Sequence, residues 1–135
     1  MKRYELTVAD LMSTALTTIR DDDPIGGANA EMQVGLIRHL PVLDERGRLV
    51  GVLSDRDVMR ARSHREQKRV ADIMSRALVT IRPDAPAAQA ASAMLENNIS
   101  SVLVVDEEEK LVGVVTMTDY VDLARRSLLG LPLER

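Results

Sequence analysis

Apolar and polar positions along the chain follow one short scheme, written twice. A Val-Ala-Asp turn leads into a brief β run, Leu16 to Arg20 and again Leu78 to Arg82. Asp23-Pro24 and Ala85-Pro86 then suit a helix start with Pro at its first position. The helix from Pro86 to Glu96 is Ala-rich. Its counterpart from Pro24 carries Gly26, Gly27 and Gly35, each costing about 1 kcal/mol relative to Ala. Two strands follow: Leu40 to Leu43 or Ser101 to Val105, then Leu49 to Leu53 or Leu111 to Val115. Asp44-Glu-Arg-Gly47 and Asp106-Glu-Glu-Glu109 are the turns between them, and a second helix opens after Ser54 or Thr116. The unit is β-α-β-β-α, and near-continuous Val/Leu runs predict strands buried on both faces.

The two copies share one register. Shifted by 62 residues, positions 8–59 match positions 70–121 at 23 of 52 places without a gap. Val8-Ala-Asp-Leu-Met-Ser13 falls on Val70-Ala-Asp-Ile-Met-Ser75, and Leu49-Val-Gly-Val52 on Leu111-Val-Gly-Val114. The chain is a tandem duplication, with repeat 1 over 1–62, repeat 2 over 63–135 and a linker near 60–69. The predicted fold class is α+β, with two β-α-β-β-α repeats packed about a pseudo-twofold axis. Neither repeat is large enough to bury its own apolar face well.

Composition narrows the chemistry. The 135 residues are 45% hydrophobic and 29% charged, as in a globular domain. Cysteine is absent, which removes disulfides, thiolate metal sites and cysteine nucleophiles. Two histidines, His39 and His64, exclude a His-rich metal site, and the absence of Trp and Phe leaves almost no base-stacking platform. A net charge of −3 disfavours general nucleic-acid binding. The longest uncharged stretch, Ala85 to Leu95, is too short to span a bilayer, and the first residues have no apolar signal-peptide core. The expected location is cytoplasmic, away from membranes.

At the strand–helix junction the repeats read Gly51-Val-Leu-Ser54-Asp-Arg-Asp57 and Gly113-Val-Val-Thr116-Met-Thr-Asp119. A strand delivers a hydroxyl residue to a helix start, where free backbone N–H groups and the helix dipole favour an anion. The Asp one turn on is an acceptor-only group that suits the two donating hydroxyls of a ribose. Ser/Thr-x-x-Asp is also close to a capping box, in which the same Asp serves only its own helix. Recurrence at both junctions, and Asp where a capping box prefers Glu, favour a ligand role.

With Val-Ala-Asp-Leu-Met-Ser, Ile37-Arg-His-Leu-Pro-Val-Leu-Asp44 and Gly-Val-Leu-Ser-Asp-Arg-Asp, the sequence resembles a tandem pair of cystathionine β-synthase (CBS) domains, a Bateman module, over residues 7–124. The resemblance implies a non-catalytic regulatory module that binds AMP, ADP, ATP or a related adenosyl compound in clefts between the repeats. It needs no further cofactor. The resemblance also implies which residues form each site. The first set is Thr116 and Asp119 with Met12, Ala15, Thr17, Ile37, Arg38 and His39. The second is Ser54, Arg56 and Asp57 with Met74, Ala77, Val79, Ile99, Ser100 and Ser101. Arg38 and His39 stand where repeat 2 has Ser100 and Ser101, so the first set is expected to favour the more phosphorylated ligand. Pro41 stands where repeat 2 has Leu103, so the backbones of the two sites are expected to differ.

Such modules usually pair into discs, so a homodimer is expected, acting on a separate protein target. Two rivals stay open: a structural dimerisation module with empty clefts, and nucleic-acid binding through the basic linker Arg60 to Arg69. The linker's bases also read as a solvated helix end, and the acidic net charge favours that reading. Met32 and Met94 read as core, and Met12 and Met74 as core or ligand contact. Leu128, Leu129, Leu131 and Leu133 give the tail an apolar end, expected to pack on its own domain or on a second copy. No phosphate-loop lysine, dinucleotide glycine fingerprint or nucleophile elbow is present, so an enzyme is not expected.

Overall fold

A computed structural model describes residues 5–27, 39–62 and 69–133. In chain order the elements are α1 (Val8–Leu11), β1 (Ile19–Arg20), β2 (His39–Leu43), β3 (Leu49–Ser54), α2 (Asp55–Arg62), α3 (Val70–Ile73), β4 (Thr80–Ile81), α4 (Ala87–Asn97), β5 (Ser101–Val105), β6 (Leu111–Thr116) and α5 (Met117–Leu128). The mixed α and β content agrees with the α+β expectation. Two three-stranded sheets form, in the order β1-β2-β3 and β4-β5-β6. In each, the first pair is parallel and the second antiparallel. The registers are twins: Ile19 faces Val42 and Ile81 faces Val104, while Leu40 faces Leu53 and Val102 faces Val115.

Local chemistry accounts for the connections. A parallel pair needs a crossover, and α4 supplies it between β4 and β5. That helix ends on Asn98 in the left-handed conformation, φ 52°. The antiparallel pairs are joined by Asx turns. Asp44 Oδ1 accepts from the N–H groups of Arg46 and Arg48, and Asp106 Oδ1 from those of Glu108 and Lys110, all at 2.8–3.0 Å.

Several expectations need correction. The first β runs shrink to two residues each, because only Ile19–Arg20 and Thr80–Ile81 find ladder partners on the neighbouring strand. The Val-Ala-Asp turns are one-turn helices, α1 and α3. Pro86 does not occupy the first helical position. It is the N-cap residue, extended at φ −57°, ψ 137°, and Ala87 opens the helix. Of the helix from Pro24, residues 25–27 are helical, and its remainder, with Met32 and Gly35, lies outside the described residues. Four successive residues of β5 are buried, as two-sided covering requires, whereas β3 alternates buried and half-buried residues like a one-sided strand. The tail leucines do not pack on their own unit: Leu128 is 87% exposed, and Leu129, Leu131 and Leu133 are exposed as well.

The described residues gather into two compact units that do not coincide with the sequence repeats. One is residues 17–78; the other is 1–16 with 79–135. The opening segment of each repeat therefore belongs to the other repeat's sheet. Val8 and Leu11 of α1 are buried in a core with Ile81, Ala90, Met94, Val102, Val104 and Val115. Val70 and Met74 close the other core with Ile19, Leu40, Val42, Leu53 and Val58. The first N–H groups of a helix have no internal partner. Here those of Val8 and Ala9 donate to the carbonyls of Ala85 and Pro83, and those of Val70 and Ala71 to the carbonyls of Asp23 and Asp21. Ser13 then bridges to Val114 on β6, and Ser75 to Val52 on β3, which covers the outer edge of each sheet.

Candidate functional site

The two hydroxyl–Asp motifs sit at corresponding strand–helix junctions. β6 ends on Thr116 and α5 begins beside it, whereas β3 ends on Ser54 ahead of α2. Asp119 Oδ2 accepts from the Thr116 N–H at 2.7 Å and from its hydroxyl at 3.2 Å. Asp57 Oδ2 accepts from the Ser54 N–H at 3.0 Å, and the Asp57 N–H donates to Ser54 Oγ at 3.1 Å. Both junctions are thus capping boxes. The same Asp device closes α1, where Asp10 accepts from the Thr7 N–H at 2.7 Å, and α3, where Asp72 accepts from the Arg69 N–H at 2.9 Å. Among the described helices, each Asp at the third helical position caps its own helix start in this way.

Burial separates the four carboxylates. Asp10 and Asp72 are exposed, Asp57 is half-buried, and Asp119 is the one buried charged residue among those described, at 9% exposure. A carboxylate has about four lone-pair sites, more than a single capping contact occupies.

The ladder places further residues of the expected sets. Ser101 at the start of β5 is the register partner of Thr116, and the carbonyl of Ser100 accepts from the Met117 N–H at 3.0 Å. His39 at the start of β2 is the register partner of Ser54. Met12 and Ala15 belong to the unit that carries Thr116 and Asp119, as do Val79 and Ile99. Met74, Ala77 and Thr17 belong to the unit that carries Ser54, Arg56 and Asp57. Ile37 and Arg38 lie outside the described residues.

Met12 and Met74 have a packing role. A Cβ placed on Gly113 would lie 2.6 Å from Met12 Sδ, and one on Gly51 2.5 Å from Met74 Sδ. The glycine of each motif leaves room for the methionine of the docked opening segment. The spacing of 62 residues aligns Gly51 with Gly113 and Met12 with Met74, but nothing in it links the two types of residue.

Among the described residues no helix is long and apolar enough to cross a membrane, and no three His, Asp or Glu side chains gather as a metal site would require.

Comparison with known proteins places this geometry. The family described as CBS domain matches twice, over residues 8–64 and 70–126. Homoserine O-acetyltransferase of Methanococcoides burtonii is 36% identical over 113 residues, 84% of this chain but 23% of that enzyme. The chain thus spans about a quarter of that relative's length. Among solved structures, the CBS domain pair of protein MJ0100, in complex with 5′-methylthioadenosine and S-adenosyl-L-methionine, superposes with a TM-score of 0.79 at 31% identity. The match covers 92% of this chain and 99% of that one. CBSX2 in complex with AMP gives a TM-score of 0.80 at 26% identity, covering 90% and 98%.

Proposed function

Because the chain belongs to the CBS domain family, we propose that it is a non-catalytic regulatory module binding an adenine nucleotide or related adenosyl compound. The observation that carries this reading is the twinned junction: a hydroxyl residue and an Asp, fixed against each other at the head of a helix in both repeats. Two similar CBS pairs hold adenosine compounds, which supports the ligand class. The Thr116–Asp119 set, with Met12, Ala15, Thr17, Ile37, Arg38 and His39, takes the more phosphorylated ligand. The Ser54–Asp57 set, with Arg56, Met74, Ala77, Val79, Ile99, Ser100 and Ser101, takes the other. No resident cofactor enters this reading. Ligand shifts the population of conformations or of dimers, and a separate protein reads that shift in the cytoplasm.

The capping boxes favour one rival, a structural dimerisation module in which each Asp serves its own helix alone. Thermal denaturation against AMP, ADP, ATP, S-adenosylmethionine and 5′-methylthioadenosine separates the two. A ligand at a hundred times its Kd adds about 2.7 kcal/mol of stability. A flat response to the whole panel, with no small molecule co-purifying by mass spectrometry, would overturn the nucleotide reading and favour the rival.

A further inference from the structure

A concavity lies wholly within the unit formed by 1–16 and 79–135, at the end of the sheet where β4 and β5 finish. Its volume is about 220 Å³, and its lining includes Ile81, Arg82, Ala85, Gln89, Val105 and Glu109. None of these belongs to either adenosyl set.

Two observations mark it as built rather than incidental. The first is a conformation. Glu109 sits in the left-handed region at φ 64°, at the turn position where repeat 1 has Gly47 at φ 82°. A side chain is retained where glycine would be unstrained, and strain of this kind persists where a side chain is needed. What Glu109 does there is meet Arg82: Nη2 of the guanidinium donates to its Oε1 at 3.3 Å. The second is an orphan. Arg82 Nη1 is buried and has no hydrogen-bond partner among the described residues. A buried donor without an acceptor retains its full desolvation penalty. Repeat 1 lacks the set, since Gly27 replaces Gln89 and Gly47 replaces Glu109.

We infer that this concavity is a binding site for a small α-amino acid with an apolar side chain. The ion pair is single-pronged and half-exposed, so it opens at little cost. With the pair open, the guanidinium turns outward and offers a ligand carboxylate both Nη groups, in the bidentate geometry that one Glu oxygen cannot supply, and Nη1 gains its acceptor. Glu109, released, receives the ligand ammonium. Ile81, Ala85 and Val105 give the side chain an apolar wall. The volume falls below the ~300–1,000 Å³ of drug-sized sites, so it suits an amino acid and not a nucleotide.

The test is an NMR titration of the full chain with leucine, with 4-methylpentanoate (no ammonium) and 3-methylbutylamine (no carboxylate) as half-ligands. Saturable shifts at residues 80–89 and 105–110 are expected with leucine, with both half-ligands at least about tenfold weaker. Glu109→Gly restores the twin's turn and relieves the strained backbone, so it folds. It is expected to lose about tenfold or more in leucine affinity while its response to adenine nucleotides is unchanged. Three results would overturn the site: no saturable shift at millimolar leucine, 4-methylpentanoate binding as tightly as leucine, or full leucine affinity in Glu109→Gly.

Discussion

At the scale of single residues, the capping Asp is also the Asp proposed to hold the ligand, and mutation can separate the two roles. Asn in place of Asp119 still offers a carbonyl oxygen to the Thr116 N–H, so the helix start survives with a loss of about 1 kcal/mol or less. It replaces an all-acceptor edge with one that also donates, which conflicts with a ribose diol. Asp119→Asn is therefore expected to weaken adenosine binding about tenfold or more while Tm moves by a few degrees; calorimetric titration beside thermal melting reads both. Arg38→Ala is expected to weaken ATP and ADP far more than adenosine, and equal losses for all three would remove the charge argument. The motif glycines differ in tightness. A Cβ on Gly51 meets the Ser75 carbonyl at 2.9 Å, where the backbone itself must move, whereas the matching contact from Gly113 to the Ser13 carbonyl is 3.1 Å. Urea unfolding is expected to show Gly51→Ala costing about 1–3 kcal/mol and Gly113→Ala less.

At the scale of elements, the hairpin strands β2, β3, β5 and β6 and the starts of the second helices were readable because Val/Leu runs, Asx turns and Ser/Thr junctions all mark them locally. The register of 62 residues let one copy check the other. Three things were not readable. The shortness of β1 and β4 depends on how far a neighbouring strand extends. Glu109 in a left-handed turn contradicts its own propensity, and its comparison with Gly47 was the available clue. The destination of α1 was hidden most completely. Alignment assigns Val8–Ser13 to repeat 1, and no periodicity says which sheet a one-turn helix will cover. Leu11 is buried among residues of the second sheet, so Leu11→Ala is expected to cost about 2–5 kcal/mol by chemical denaturation despite lying in a four-residue helix. If Leu11 were part of a loose terminus, the loss would stay below about 0.5 kcal/mol.

At the scale of the whole molecule, an unpartnered apolar stripe bears on assembly. Met117, Val121 and Leu128 follow helical spacing along α5 and are exposed, Val121 to 64%. A second copy presenting the same stripe would cover it symmetrically, which is how the expected homodimer would form. Val121→Lys is expected to convert dimer to monomer in sedimentation velocity without lowering the affinity for nucleotide, since Val121 lies in neither ligand set. An unchanged sedimentation coefficient would place the contact elsewhere.

The docking of each repeat's first segment onto the opposite sheet has a genetic consequence. A cut between the two repeats would yield two polypeptides, neither holding all the parts of a finished core. A cut following the spatial boundary instead would excise 17–78 as one uninterrupted stretch and leave its counterpart in two pieces. For this protein the duplicated stretch of sequence and the compact body are different objects. Truncations planned from the repeat alignment would sever each sheet from its own lid.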